Sequence, residues 1–450
     1  MRVRARIHVV LGTLLLAVAF WGLYRDVRWV AQPFYAWVWW GYILILDGFL
    51  AWKRGNSLLT TRLRYVFPIC LWSISFWFFF ELINARIQNW YYVGVYPASE
   101  GLIGMLFTLL AFATVFMGIF QTYDALTATG LWKRWKRKRR HYSRRLTYVL
   151  QAVGLLTGGL ALLYPYYFAP LVWGSFTLIV DPWNYRRGAR SLLRDLENGD
   201  YGLIARLLLA GLVCGVVWES LNFLAPQKWI YTVRGLEGFK VFEMPLLGFL
   251  GFPALALDTM AAFALLASFF LGNRSWERLA DLSYTPAPKR ASRELSFRLW
   301  VPVHLVFWAA VAVYATPVNI GSLQLSLHDV QLTPGEYHQL EALGITRPRQ
   351  FLRRSAPDTE FAAMHERLGW SRKRLHEIRD RIRLYTFKGI GNHHGTRLEA
   401  VGIRTPEDLR HWTPEALHAQ IGGPPGAMPL FVPRLDFVRV WVLAARSRAG

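Results

Sequence analysis

Asp47-Gly48-Phe49-Leu50-Ala51-Trp52-Lys53-Arg54-Gly55-Asn56-Ser57-Leu58-Leu59 is echoed by Asp181-Pro182-Trp183-Asn184-Tyr185-Arg186-Arg187-Gly188-Ala189-Arg190-Ser191-Leu192-Leu193. Both stretches place an Asp at the end of a hydrophobic run and follow it with a basic pair, a Gly and Ser-Leu-Leu. Downstream, Phe80-Glu81-Leu82-Ile83-Asn84 answers to Trp218-Glu219-Ser220-Leu221-Asn222, and Trp90-Tyr91-Tyr92 to Trp229-Ile230-Tyr231. Order and spacing agree apart from one-residue gaps. Chance does not keep so many rare residues in register, so the chain contains one unit twice.

The runs around these stretches identify the solvent. Of 450 residues, 54% are hydrophobic and only 18% are charged, below what a soluble enzyme of this length carries. Hydrophobic runs fall near 8–24, 34–52, 65–85, 101–123, 147–164, 166–181, 202–223, 245–271 and 298–317. Each approaches the roughly 20 helical residues that cross a bilayer. Frequent Trp and Tyr at their ends fit anchors at the membrane interface. Arg2, Arg4 and Arg6 before an apolar core, with Ala17-Val18-Ala19 after it, also fit a signal peptide. The apolar stretch continues through Phe20, Trp21 and Leu23 and favours a retained span. Cys70 and Cys214 both lie inside hydrophobic runs and form neither a disulfide framework nor a metal site.

Two units of four spans, 1–123 and 147–271, are therefore expected, joined by a basic cytoplasmic linker at 124–146. A loop at 272–297, a ninth span at 298–317 and a tail at 325–450 follow. An even number of spans returns the chain to its starting side, which makes the units parallel repeats about an axis along the membrane normal. Loops 53–64, 124–147, 182–201 and 272–297 collect the Lys and Arg, including the run from Trp132 to Arg140. They are alternate loops, so their face is cytoplasmic. The run at 132–145 also suits acidic headgroups or nucleic acid, but orientation is the plainer reading. The N-terminus is then cytoplasmic, in a bacterial inner membrane, and nine spans put the tail on the outer side.

Glu81 and Glu219 fall about one turn from the outer ends of spans three and seven, with Asn84 and Asn222 three residues on along the same helix face. A carboxylate at such depth faces protein or water and is a candidate ligand or proton site. The competing expectation is a network with its Asn and with Trp90, Tyr92, Trp229 and Tyr231 as interfacial residues, locking the outer loops. Asp258 lies mid-span without a duplicate, Thr114 standing at its counterpart, and His304 is its nearest intramembrane partner by type. Asp47 and Asp181 are expected to be structural anchors paired with Arg54 and Arg187. No phosphate-binding loop, nucleophile elbow or metal-ligand cluster is present, so neither a catalytic residue, a metal nor a cofactor is assigned. The intramembrane Glu, interfacial Trp–Tyr and following Pro245-Leu246 resemble, in format alone, membrane enzymes of carotenoid and isoprenoid metabolism.

The tail is polar and again duplicated: Leu340-Glu341-Ala342-Leu343-Gly344-Ile345 recurs as Leu398-Glu399-Ala400-Val401-Gly402-Ile403. Lys388-Gly389-Ile390-Gly391 has two glycines around an apolar residue, the form of a tight hairpin between helices. Ser371, Thr405 and Thr413 stand at helix starts, the latter two followed by Pro. On these residues, 331–445 resembles an uncharacterised bacterial domain of paired helix-hairpin-helix units. The resemblance implies a hairpin loop, Gly389, Ile390 and Gly391, whose backbone N–H groups hold a phosphate in related motifs. Gln331 and Thr333 replace the glycines of the first copy.

The expected fold is thus all-α, a polytopic bundle of two parallel four-helix repeats plus one span, with a soluble all-helical tail. The expected function is binding or processing of a hydrophobic, lipid-like ligand between the repeats. Membrane lipid is then the main partner. The alternative is a membrane-anchored scaffold whose tail recruits a protein partner; nucleic acid is disfavoured because the tail lies outside the cytoplasm.

Overall fold

A computed structural model describes residues 2–233, 240–276, 297–422 and 433–447. Much of loop 272–297, with the basic residues Arg278, Lys289, Arg290 and Arg293, lies outside these, as does 234–239 in the second outer loop. The described chain is helical apart from two short antiparallel ladders. Among the described residues, eight helical stretches are long and apolar enough to cross a membrane, as in a multi-pass membrane protein.

The membrane part begins with α1 (Arg2–Arg25), α2 (Phe34–Arg54) and α3 (Val66–Ile87). It continues with α4 (Gly101–Phe112) and α5 (Thr114–Ala128), two segments of one span joined at Ala113. Next come α6 (Arg144–Leu163), α7 (Ser175–Arg186), α8 (Tyr201–Leu224), α9 (Gly251–Phe270) and α10 (Phe297–Asn319). α1 and α2 approach closely because glycines face each other: a Cβ on Gly12 would meet the Gly41 carbonyl oxygen at 2.7 Å. Small residues at such contacts are how membrane helices gain packing where no water is expelled. The centre of the bundle is aromatic and spans both halves, with Trp39 against Trp218 (5.1 Å between ring centres) and Trp72 against Phe263 (5.8 Å).

The span expected at 166–181 is not one continuous helix. Pro165 and Pro170 hold the chain in short helical turns over 165–172, and Gly174 adopts φ 86° before α7 begins. α7 has only 12 residues, about 18 Å at 1.5 Å per residue, against a hydrocarbon core of about 30 Å. It is nevertheless a full passage of the chain. The strands that follow α3 and α8, β1 (Trp90–Val93) and β2 (Lys228–Tyr231), pair antiparallel with Trp90 opposite Tyr231. The ends of α3 and α8 therefore share one face, and that demands an odd number of passages in the chain between the two helices: α4–α5, α6 and α7. α10 ends on the same face, where Ile320 bridges to Tyr92 and Leu323 to Val95.

The tail comprises α11 (Pro334–Ala342), α12 (Pro348–Ser355), α13 (Asp358–Leu368), α14 (Arg372–Thr386), α15 (Gly391–Ala400), α16 (Pro414–Ile421) and α17 (Leu435–Ser447). The Ser371 and Thr413 side chains cap α14 and α16 as their positions predict, and Thr405 closes a capping box on the 3-10 turn at 406–411. Gln331 takes a left-handed conformation (φ 57°) and Thr333 caps α11, so the first copy turns without glycine.

The all-α expectation holds for the described residues apart from these two short ladders. Trp90, Tyr92, Trp229 and Tyr231, expected as interfacial residues, lie in the β1–β2 ladder. Alternation then divides the side chains. Tyr91, Val93 and Ile230 join the hydrophobic core of the tail, while Trp90 and Tyr231 belong to the core of the membrane bundle.

Candidate functional site

Asn84 and Asn222 set the ladder in place. Asn84 Nδ2 donates to the Trp90 carbonyl (2.9 Å), and its Oδ1 accepts from the backbone N–H of Asn89 and Trp90. Asn222 does the same, donating to the Trp229 carbonyl (2.9 Å) and accepting from Trp229 N–H (3.0 Å). Each Asn thereby satisfies backbone groups that a turn leaving the helix would strand.

One turn deeper lie the carboxylates, and they differ. Glu81 Oε1 accepts from the Tyr92 hydroxyl (2.6 Å) and Trp90 Nε1 (3.3 Å), and Oε2 accepts from Asn319 Nδ2 of α10 (2.8 Å). Glu219 Oε1 accepts from the Tyr231 hydroxyl (2.9 Å), while its Oε2 is buried without a hydrogen-bond partner from the protein. α10 thus completes the first carboxylate and leaves the second with capacity to spare.

Beside Glu81 and in front of Tyr231 is a cavity of about 930 Å³, at the upper end of the range for small-molecule sites. α2, α3 and α4 line it on one side with Tyr35, Trp77, Glu81 and Phe112; Trp173, Trp218, Phe252 and Leu255 line it on the other. Trp90, Tyr92, Trp229 and Tyr231 meet it from the ladder, and α10 closes it with Val311, Ala315 and Asn319. Val313, Leu247 and Leu250 both line the cavity and are exposed (78%, 62% and 69%) on the surface of the apolar helices. The cavity therefore communicates sideways with the layer that lipid occupies.

Asp258 is not part of this cavity, and His304 is not its partner. His304 Nδ1 pairs with Ser75 Oγ (2.7 Å). Asp258 caps the broken helix α7, its Oδ2 accepting from Gly174 N–H (3.1 Å) and its Oδ1 from Thr177 N–H (2.8 Å). The lack of a duplicate follows directly. α2, in the first half, is continuous at this depth and exposes no helix start, so Thr114 needs no charge there.

Asp47 and Asp181 are anchors, but not with the expected arginines. Asp47 accepts from Ser57 Oγ (2.7 Å) and Leu59 N–H (2.8 Å) and meets His8 Nδ1 (2.8 Å). Asp181 accepts from Leu192 N–H and Leu193 N–H (2.7 and 2.9 Å). Arg54 turns to Asp124 instead (3.4 Å). Each Asp holds the Ser-Leu-Leu turn through its backbone, which explains why Asp and Ser-Leu-Leu recur together.

Sequence reasoning missed Glu243. Its side chain is 2% exposed and clamped between Lys228 Nζ of β2 (3.0 Å) and Lys388 Nζ of the tail hairpin (2.6 Å). Burial pushes the Glu243 carboxyl up, but the two lysines outweigh it and hold the group below the usual glutamate range. The hairpin itself is covered: the Tyr91 hydroxyl donates to the Lys388 carbonyl (2.9 Å), and a Cβ on Gly389 would lie 2.0 Å from Val93 Cγ1. Gly389 (φ 72°) is thus needed both for its left-handed turn and for contact with β1. Ile390 enters the tail core, and Gly391 packs on Ser322. Arg347 meets Asp26 (2.9 Å) and Arg434 donates to the Val318 carbonyl (2.8 Å), completing the seat of the tail on the outer loops.

Comparison with known proteins adds one finding. Residues 330–448 match a family described as Domain of unknown function (DUF4332), coinciding with the tail and covering about a quarter of the chain. Neither the curated proteins nor the solved structures give a match to this sequence.

Proposed function

We propose that this chain is a bacterial inner-membrane protein that binds, and carries or processes, a lipid-like ligand between two duplicated membrane units. The observation that carries this reading is the cavity of about 930 Å³, walled by aromatic side chains from both halves and reaching the lipid-facing surface beside Val313 and Leu250. A purely structural bundle gains nothing from such a volume, since close packing is what holds membrane helices together. Duplication is supported by the matching roles of Asn84 and Asn222, of Glu81 and Glu219 with Tyr92 and Tyr231, and of Asp47 and Asp181. The test is the amphiphile that stays with the protein through purification, wild type against a variant whose cavity is narrowed by Ala111→Trp.

Orientation and tail belong to the same proposal. The basic linker at 132–145 lies at the end of the bundle opposite the ladder, where Arg137 N–H donates to the Gly199 carbonyl (2.9 Å). With that end cytoplasmic, the tail is on the outer side. A reporter fused after residue 140 is then expected to read cytoplasm and one after 450 the outer side; a cytoplasmic signal at 450 would overturn the assignment. The tail acts as a paired helix-hairpin-helix interaction module. Its intact hairpin loop seats on β1, and a phosphate would have to displace Val93 and the Tyr91–Lys388 contact to reach it. That favours a protein contact over nucleic acid. The scaffold reading, with the tail recruiting a further protein, would use the surfaces that the seat leaves exposed, those of α11, α13 and α14 among them.

A further inference from the structure

Depth divides the bundle into two unlike layers, and the cavity belongs to the layer nearest the ladder. Its lining begins at Gln32, Val95 and Ile320, outside the long helices, and runs inward along α3, α4, α8, α9 and α10. On α3 the deepest lining residue is Trp77, about ten residues before the end at Ile87, or about 15 Å at 1.5 Å per residue. Val311 on α10, Trp218 on α8 and Leu255 on α9 lie nearer the ladder ends of their helices. Val115 marks the floor, midway along the passage formed by α4 and α5. A hydrocarbon core is about 30 Å thick, so the cavity reaches about one leaflet deep.

The layer beyond the floor is filled. Phe116, next to Val115, meets Phe76 (5.2 Å between ring centres) and Phe120 (5.4 Å). Phe120 continues to Phe263 (5.4 Å) and Trp276 (4.7 Å). Phe116, Phe120, Phe263 and Trp276 are fully buried. The Arg62 guanidinium lies over the Trp276 ring (5.3 Å) and pairs with Asp124 (3.6 Å) at the end opposite the ladder. Among the described residues, this aromatic column occupies the centre from the cavity floor to the basic face. A lipid chain would have to displace close-packed rings to cross it.

The openings lie at the depth of the cavity. Leu247 and Leu250 stand at the ladder end of α9, and Val313 is about six residues, or about 9 Å, from the ladder end of α10. All three are exposed where lipid of the same leaflet would touch them. The polarity of the lining runs along the same axis. Gln32, Asn89, Gln227, Lys228 and Asn319 are at the ladder end, whereas Trp77, Ala111, Phe112 and Leu255 make up the deep end. A lipid in that leaflet keeps its head at the surface and its chain toward the midplane, and so matches the cavity in the orientation it already has.

Resting on the reading of this cavity as a ligand site, we propose that it draws its ligand sideways from the leaflet on the ladder side alone. The ligand is an amphiphile of that leaflet, bound with its head toward the ladder and its chain toward Phe112 and Leu255. The protein holds or modifies it within that leaflet and does not pass it across the bilayer.

The experiment uses the full chain with a C-terminal affinity tag in vesicles of phosphatidylethanolamine and phosphatidylglycerol. Capture on the tag separates vesicles with the tail outward from those with it inward. A lysophosphatidylethanolamine with a diazirine at its chain end is added from outside, and labelled peptides are mapped by mass spectrometry. Peptides containing Phe112 and Leu255 are expected to be labelled about tenfold or more strongly in the tail-outward vesicles, because the polar head keeps the probe in the leaflet it entered. In the same vesicles, a fluorescent phosphatidylethanolamine should cross no faster than in protein-free ones, read by dithionite bleaching. Equal labelling in both populations, stronger labelling with the tail inward, or accelerated crossing overturns the restriction to one leaflet and leaves the ligand site standing. No cavity labelling in either population overturns both.

Discussion

Asp258→Leu is expected to destabilise the membrane part by about 3–5 kcal/mol, seen as a large drop in the thermal unfolding temperature of the detergent-solubilised protein. Asp258 is fully buried, and its two oxygens are the partners of Gly174 N–H, Thr177 N–H and the Thr177 hydroxyl at the start of α7. In a bilayer those donors have no water to turn to. Leucine leaves them unpaired at the point where Pro170 and Gly174 have already interrupted the helix. Asp258→Asn should cost less, about 1–2 kcal/mol, because its carbonyl still accepts from Thr177 while its amide group faces the Gly174 donor. Thr114→Leu, the matching change in the first half, should cost no more than an ordinary buried substitution, since Thr114 Oγ1 only returns to its own helix at the Ala111 carbonyl. Equal losses at positions 114 and 258 would contradict the capping role. So would an Asp258→Leu protein as stable as wild type.

Glu243→Gln should release the tail from the outer loops. The substitution leaves Lys228 and Lys388 facing each other around a neutral group, and removing one member of a buried ionic cluster costs about 3 kcal/mol or more. That is roughly a hundredfold in a docking equilibrium. Hydrogen exchange of Tyr91, Val93 and Lys388 would report it, because their backbones lie in the seat. Lys388→Met should cost less, since Glu243 keeps Lys228. The pH dependence has a definite sign. Glu243 titrates lower in the docked state than when free, so its contribution is fully present above the ordinary glutamate range. It is lost as pH falls below that range, through the depressed value of the docked state. Exchange is read as protection relative to the intrinsic amide rate at each pH, and weaker protection at pH 7 than at pH 4 would contradict the latch.

Sequence alone made much of this legible, and the misses have identifiable causes. Apolar runs of about 20 residues declare spans because the bilayer fixes their length, and the caps at Ser371 and Thr413 declare helix starts because Ser and Thr satisfy the first free N–H groups. The break in the passage at 166–181 is invisible to hydropathy, which averages over Pro165, Pro170 and Gly174, residues that govern backbone rather than transfer energy. The ladder was hidden because four-residue strands are shorter than any periodicity test needs; yet Trp90 and Tyr92 alternating with Tyr91 and Val93 did carry the signal. The Asp–Ser-Leu-Leu pattern was visible, but its purpose required knowing that Leu59, Leu192 and Leu193 present free backbone N–H groups. Glu243 and Lys388 stand 145 residues apart, and nothing local couples them. The cavity is the least legible feature, because an unfilled volume depends on the mutual placement of helices and no residue encodes it.

One consequence of the ladder links tail and site. Tyr91, Val93 and Ile230 are fixed in the tail core, and the same two strands present Trp90, Tyr92, Trp229 and Tyr231 to the cavity. The two strands therefore join the tail core to the aromatic wall and to the hydroxyls on Glu81 and Glu219.

The most direct measurement of the central claim is mass spectrometry of the organic extract of purified protein, with bound molecules counted per chain. Wild type is expected to retain about one long apolar molecule per chain after annular lipid has been exchanged for detergent. Ala111→Trp and Ala312→Trp, which fill the cavity from α4 and α10, are expected to lose it while keeping the wild-type unfolding temperature. Retention of the same molecule, in the same amount, by wild type and both filled variants would contradict a ligand site between the two halves.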